Sequence, residues 1–170
     1  VAKIEAGKLV LDHSKFKLSS CVETVHRIMK SIADAKQLEL NVKTSERIQH
    51  LSFLGDNMRL NQVLINLVGN AVKFTQQGSV NVLITDDLEE LRHESHLCER
   101  IREFDQSHVR DPTKQERRLI FVVKDTGIGI RPERMKDLFQ QFTQVHHDHD
   151  DETSTIPGTG LGLSISRSLI

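Results

Sequence analysis

The 170-residue sequence predicts an α+β domain, and three observations carry that prediction. Two stretches repeat apolar residues at steps of three and four: Val22, Val25, Ile28, Met29 and Ile32, then Leu60, Val63, Leu64, Leu67, Val68 and Ala71. Short runs between and after them read as strands, alternating at Leu38-Glu39-Leu40-Asn41-Val42 and continuously apolar at Leu119-Ile120-Phe121-Val122-Val123. With 37% hydrophobic and 28% charged residues, the chain has the balance of a soluble globular protein rather than a disordered one.

The elements follow in order. Lys8 to Lys17 reads as a short extended lead-in, with Leu9, Leu11 and Phe16 as its apolar points. A helix is expected from about Ser20 to Gln37, with Ser19 or Ser20 as its cap. The alternating run at 38–42 is a half-buried strand, and Leu51 to Leu54 is a second short one. Asp56 or Asn57 caps the next helix, which runs to about Phe74 and is ended by Gln76-Gln77-Gly78. Ser79 to Thr85 is a strand with Val80, Val82 and Ile84 on one face. Asp86 to Arg118 is dense in charge and carries Asp111-Pro112, so it reads as a solvated insertion, helical at most near Leu88 to Ile101. The apolar run at 119–123 is typical of a central strand. A glycine turn follows, then a short helix opened by Pro132, a polar stretch from Thr143 to Pro157 that reads as a mobile loop, and a last helix from Gly160.

Bulk properties exclude several classes. A formal net charge of -1 leaves no electrostatic footprint for nucleic acid. No apolar run approaches the roughly 18 residues that a membrane span needs. Val1-Ala2-Lys3-Ile4-Glu5 has no apolar signal core and no initiating Met, so the chain is expected to be an excised piece. The two cysteines, Cys21 and Cys98, are far apart and without metal-ligand spacing, which suits a reducing, cytosolic compartment.

Three clusters could carry chemistry. Asn66, Asn70 and Lys73 share one side of the second helix, with Arg59 and Gln62 upstream. Amide oxygens are hard ligands suited to Mg²⁺, and a lysine neutralises phosphate as a point charge. Taken alone, such a face reads first as an ordinary polar, solvated helix face. Asp125-Thr126-Gly127-Ile128-Gly129-Ile130 follows the apolar strand; its carboxylate can accept from a ligand amine, and its glycines let backbone approach a flat ring. The alternative is a plain strand-to-helix turn, and the dinucleotide fingerprint is not met because the third glycine is missing. In Pro157-Gly158-Thr159-Gly160-Leu161-Gly162-Leu163-Ser164, three alternating glycines clear the amides at a helix start, where anions bind. A flexible hinge would also use them, yet Gly162 inside a helix costs about 1 kcal/mol relative to Ala and calls for a reason. His146-His147-Asp148-His149-Asp150-Asp151 reads as a solvated acidic loop rather than a metal site, and His93, His96 and Cys98 are read with the same restraint.

Taken in order, these clusters resemble the nucleotide-binding boxes of the GHKL superfamily, specifically the sensor histidine kinases. Asp56 to Thr75 resembles the N box, Asp125 to Ile130 the first glycine box, Phe139-Gln140-Gln141-Phe142 the F box, and Gly158 to Leu163 the second glycine box. Lys3-Ile4-Glu5-Ala6-Gly7-Lys8-Leu9 resembles the junction after the dimerising helices of hybrid-type kinases. The resemblance implies a two-layer α/β sandwich of the GHKL ATPase type, a mixed sheet on about three helices, truncated before its closing strands. It implies a junction at 1–16 and an ATP-binding domain at 17–170, with the charged insertion at 86–118 and an ATP lid at about 143–159.

The family's roles then fall on particular positions. Asp125 would bind the adenine amino group, with Gly127, Gly129 and Phe74 shaping the pocket. Asn70, helped by Asn66, would coordinate Mg²⁺, and Lys73 would contact phosphate. Gly158, Gly160 and Gly162 would form the hinge and phosphate cradle of the lid, Leu161 would lie among the nucleotide-binding residues, and Phe139 and Phe142 would anchor the lid's near end. Three departures stand out: the length of 86–118, Pro157 where glycine is common, and the chain's end at Ile170. The ATP-hydrolysing relatives carry a water-activating glutamate where this chain has Asn66, and an amide is no general base near neutral pH. The resemblance thus implies a cytoplasmic histidine kinase domain that uses Mg-ATP to phosphorylate a histidine on a separate dimerisation domain. Its parent would be a homodimer, membrane-anchored or not, feeding a response-regulator receiver domain. None of the nine histidines here sits in an acceptor context. A nucleotide-binding regulatory or scaffold module, or a GHKL-type ATPase, are the alternative readings.

Overall fold

In the computed structural model, the structure describes residues 11–92 and 117–131. The first strand, β1 (Ser14–Lys17), leads directly into helix α1 (Leu18–Ala35). Then come β2 (Glu39–Thr44), β3 (Ser52–Gly55), helix α2 (Asn57–Phe74), β4 (Ser79–Thr85), a 3₁₀ turn at Leu88–Leu91, and β5 (Ile120–Asp125). β1 and β3 form a small antiparallel ribbon. The main sheet has the order β2-β4-β5, with β2 parallel and β5 antiparallel to β4. The parallel pair demands a crossover, and α2 supplies it. The result is a mixed sheet with both helices packed against one face, which is the expected α+β sandwich. Among the described residues, β4 is the central strand and β5 is paired only along its β4 edge. No helix among the described residues is long and apolar enough to cross a membrane.

The core lies between the helices and the inner sheet face. Val80, Val82 and Ile84 point into it together, as period-two alternation requires, and meet Leu64, Val68, Ala71 and Val72 of α2. Burying each large aliphatic side chain contributes about 1.5–3 kcal/mol. On α1 the buried residues are Leu18, Cys21, Val25, Met29 and Ala33. Ile28 and Ile32, expected in the apolar stripe, are instead 40% and 48% exposed. The buried line runs instead through Leu18, Cys21, Val25, Met29 and Ala33, which leaves the two isoleucines on its flank. The thiol of Cys21 donates to Asn61 Oδ1 at 3.1 Å across the two helices, and burial pushes its pKa up to about 11.

Local chemistry sets the ends. Asp56 caps α2 by accepting from the Arg59 N–H at 2.9 Å, as its place before the stripe predicts. It also accepts from the Asp12 N–H at 3.1 Å, which fastens the lead-in to the helix start. α1 differs from expectation: it begins at Leu18, and the preceding Lys17 makes no side-chain cap. Ser19 and Ser20 lie inside the first turn, where the Ser20 carbonyl accepts from Thr24 Oγ1, so neither is the cap. At the other end, Gln37 adopts φ 58°. Its N–H donates to Asp34 O and that of Leu38 to Ala33 O, the paired bonds of a Schellman cap, with Leu38 buried at 3% exposure beside Ala33.

The stretch after β4 opens with packed structure rather than solvated chain. Leu88 and Leu91 cover Leu83, Ile120 and Val122 on the outer sheet face, and Leu91 is only 2% exposed. Ser45 Oγ donates to Glu90, Arg47 pairs with Asp87, and Arg117 pairs with Asp86 at 3.1 Å. The residues between, 93–116, lie outside the described part.

Candidate functional site

The site forms where α2 ends beside the end of β5. A helix leaves its last four carbonyls without partners inside the helix, and a buried end must find them elsewhere. Here every one is met. Ala71 O accepts from Thr75 N–H at 3.1 Å and from Thr75 Oγ1 at 2.7 Å. Val72 O and Lys73 O accept from Lys36 Nζ at 2.7 and 3.0 Å, and the same ammonium reaches Thr75 O at 2.8 Å. Phe74 O accepts from the Ile128 N–H at 3.3 Å. A cation also suits the negative end of the helix dipole.

The loop after β5 is held by further hydrogen bonds. Asp125 Oδ1 accepts from the Gly127 N–H at 2.9 Å, which orients the carboxylate. Thr126 N–H donates to Ser79 O at 3.1 Å, and Thr126 Oγ1 accepts from Ser79 N–H at 3.0 Å. The Thr126 hydroxyl proton in turn has the Gln77 and Ser79 carbonyls within 3.3 and 3.4 Å. Two glycines make these approaches possible. A Cβ on Gly127 would stand 2.5 Å from Phe74 O and 2.8 Å from Asp125 Oδ1. Gly78 has φ +108°, and a Cβ there would meet Thr126 Oγ1 at 2.3 Å.

The structure therefore brings Phe74, Asp125 and Gly127 together. Gly127 serves close packing against backbone, while Gly129 at φ +70° has open space where a Cβ would go. Asp125, Ile128 and Gly129 are exposed, and Ile128 and Ile130 are 51% and 49% exposed, leaving an apolar rim beside an oriented carboxylate. On α2, Asn66, Asn70 and Lys73 are half-buried, and Lys73 Nζ lies 4.9 Å from the Phe74 ring centroid, within cation–π range. This collects amide oxygens, a cation, an aromatic ring and an oriented carboxylate on two adjoining elements, a donor set that can receive a flat heterocycle, anionic oxygens and a hard cation. Gly158, Gly160, Leu161, Gly162, Phe139, Phe142, Pro157 and the histidine-rich loop 146–151 lie outside the described residues, as do His93, His96 and Cys98.

Sequence reasoning passed over Lys36, Thr126 and Gly78 as structural members of this site. Thr126 carried a signal, since it stands between Asp125 and Gly127, and Gly78 stood out as the last residue of the stop after the second helix. Lys36 carried none; it reads as one more surface lysine at a helix end.

Comparisons with known proteins place the chain in a family and a fold. Residues 55–170 match the family described as histidine kinase-, DNA gyrase B-, and HSP90-like ATPase. The sensor protein GacS of Pseudomonas syringae pv. syringae is 38% identical over 170 residues, spanning 99% of this chain and 16% of that protein. The virulence sensor protein BvgS of Bordetella pertussis is 38% identical over 170 residues, spanning 100% of this chain and 12% of that protein. The chain thus spans less than a fifth of these curated relatives. Among solved structures, full-length ShkA in complex with AMPPNP superposes with a TM-score of 0.67 at 26% identity, covering 99% of this chain and 28% of that one. The nucleotide-free catalytic domain of histidine kinase ThkA has the same fold, with a TM-score of 0.62 at 23% identity over 94% of this chain and 81% of that one.

Proposed function

Because the chain belongs to the histidine kinase-, DNA gyrase B- and HSP90-like ATPase family, we propose that it binds Mg-ATP and presents the γ-phosphate to a histidine on a separate dimerisation domain. The observation that carries transfer over hydrolysis is Asn66, half-buried on α2 where hydrolysing members place a glutamate. An amide cannot take a proton from water near neutral pH. Named hybrid and sensor kinases matching along the whole of this chain support the same reading, as does the AMPPNP-bound neighbour.

The residues divide the work. Asp125, oriented by the Gly127 N–H, accepts from the adenine amino group, and Phe74, Gly127 and Gly129 shape the pocket. The side-chain oxygens of Asn70 and Asn66 suit Mg²⁺, a hard cation that would neutralise charge on the phosphates. Lys73 contributes a positive charge toward phosphate. Gly158, Gly160 and Gly162 would form the hinge and phosphate cradle of a lid at about 143–159, with Leu161 among the nucleotide-binding residues. The chain's contribution is then positioning and charge neutralisation while an imidazole nitrogen attacks the γ-phosphorus and ADP leaves. In this reading 1–16 is the junction and 17–170 the ATP-binding domain. The domain is then cytoplasmic, and its parent, membrane-anchored or not, is a homodimer whose phosphate passes to a receiver domain.

Two measurements test it. Asn70→Ala and Asp125→Ala should each abolish Mg²⁺-dependent binding of a fluorescent ATP analogue, and unchanged affinity in both would overturn the site assignment. Radiolabelled γ-phosphate should pass to an added dimerisation domain bearing the acceptor histidine. Tight nucleotide binding without transfer would favour a regulatory module, and steady phosphate release without an acceptor would favour an ATPase.

A further inference from the structure

We propose that Lys36, at the end of α1, is a positioning residue for the nucleotide site. The inference rests on reading the end of α2 and the loop after β5 as that site. Lys36 donates to no ligand-assigned side chain; it acts on backbone, the carbonyl of Lys73 included. Its ammonium donates to Val72 O, Lys73 O and Thr75 O at 2.7, 3.0 and 2.8 Å, and thereby holds the last turn of α2 and the residue beyond it. The carbonyl inside that set, Phe74 O, is the one that receives Ile128 N–H and abuts Gly127. Gly127 N–H in turn orients Asp125. A continuous chain of contacts therefore runs from Lys36, through the α2 terminus, to the carboxylate and the glycine loop.

The placement of Lys36 has its own local cause. The Schellman cap of α1 turns the backbone at Gln37, φ 58°, and directs β2 away from the helix axis. Lys36 stands at this turn as the C-cap residue, and its side chain crosses to the neighbouring helix end. Two of its three bonds are partly buried, so water replaces them poorly. Removing the ammonium leaves three carbonyls at the end of α2 to be met by solvent, and the turn that carries Asn70, Lys73 and Phe74 loosens.

The test uses the 170-residue chain with Lys36→Met. Two quantities are read: the affinity for a fluorescent ATP analogue with Mg²⁺, and the amide resonances of Gly127 and Ile128 without nucleotide. Lys36→Met should weaken binding about tenfold, the size expected for coupling through a packed network, and should shift the Ile128 amide as its bond to Phe74 O lengthens. Lys36→Arg, which keeps the charge and donors, should recover most of the affinity. A merely stabilising lysine would lower the melting temperature without moving those resonances or the affinity of the folded protein, and that outcome overturns the proposal. Should Lys36→Met fail to fold, Lys36→Gln, with a donor of shorter reach, is read by the same criteria. If the unaltered chain binds no ATP analogue, the nucleotide reading fails, while the amide shifts still decide whether Lys36 controls the loop.

Discussion

Ile128 closes the end of α2: its N–H donates to the Phe74 carbonyl at 3.3 Å, so the glycine loop is part of the helix cap. A ligand that touches the loop therefore acts on a helix terminus, and a change in either is felt by the other.

Gly127→Ala tests how tight this junction is. The new methyl would stand 2.5 Å from Phe74 O, a backbone atom that cannot swing aside as a side-chain end can. Overpacking of this kind costs about 2 kcal/mol, or roughly thirtyfold in affinity if it falls on the bound state. Gly129→Ala meets no atom within 4 Å and bears only the cost of its φ of +70°, about 1 kcal/mol. Calorimetric titration with an ATP analogue should rank Gly127→Ala well below Gly129→Ala. The reverse order would show that the loop yields at Gly127.

Asp56 makes the start of α2 sensitive to acid. The Arg59 N–H, then the Asp12 N–H, hold its carboxyl below the ordinary aspartate range. A depressed pKa in the folded state contributes stability above the unfolded value of about 3.9, and that contribution is lost as pH falls through the folded value. Thermal melts between pH 7 and pH 3 should show this acid loss reduced in Asp56→Asn, which keeps an acceptor without the charge. Asp56→Ala should be less stable than either at neutral pH. Identical acid profiles for all three would dismiss the cap as a source of pH dependence.

Gln37→Gly should stabilise the protein. A non-glycine residue at φ 58° is held in a conformation its Cβ disfavours, and glycine relieves that while losing more entropy on folding. The net gain is about 0.5–1 kcal/mol, measurable as a higher urea midpoint at unchanged slope. A lower midpoint would mean that the glutamine side chain contributes more than the strain costs.

Much of this was legible in the residues themselves. The Asp56 cap, the extent of α2 to Phe74 and the strand from Ser79 to Thr85 follow from a strong stripe bounded by a capping aspartate and a glycine. The start of α1 was not, because Lys17 offers no side-chain cap and the serines nearby invite a later start. Its buried line was misjudged for a related reason. Periodicity weighs Ile28 and Ile32 by size, whereas the buried line runs through Cys21 and Ala33, whose small side chains carry little weight in such a reading. The glycine box announced Asp125 and Gly127 as a pair, but a left-handed glutamine leaves no trace in a sequence, and Lys36 could not be found before the two helix ends were set side by side.

The antiparallel pairing of β4 with β5 has a spatial consequence for the charged stretch between them. β5 pairs Ile120 with Thr85 at one end and Asp125 with Val80 at the other, about 17 Å apart along the strand. The stretch departs and returns at the first end, rooted by Leu91 on the outer face and by the Asp86–Arg117 pair. Asp125 and its glycines occupy the second end. The domain thus separates a border where extra chain can be added from a border where tenths of an ångström count, and growth at one is mechanically remote from the other.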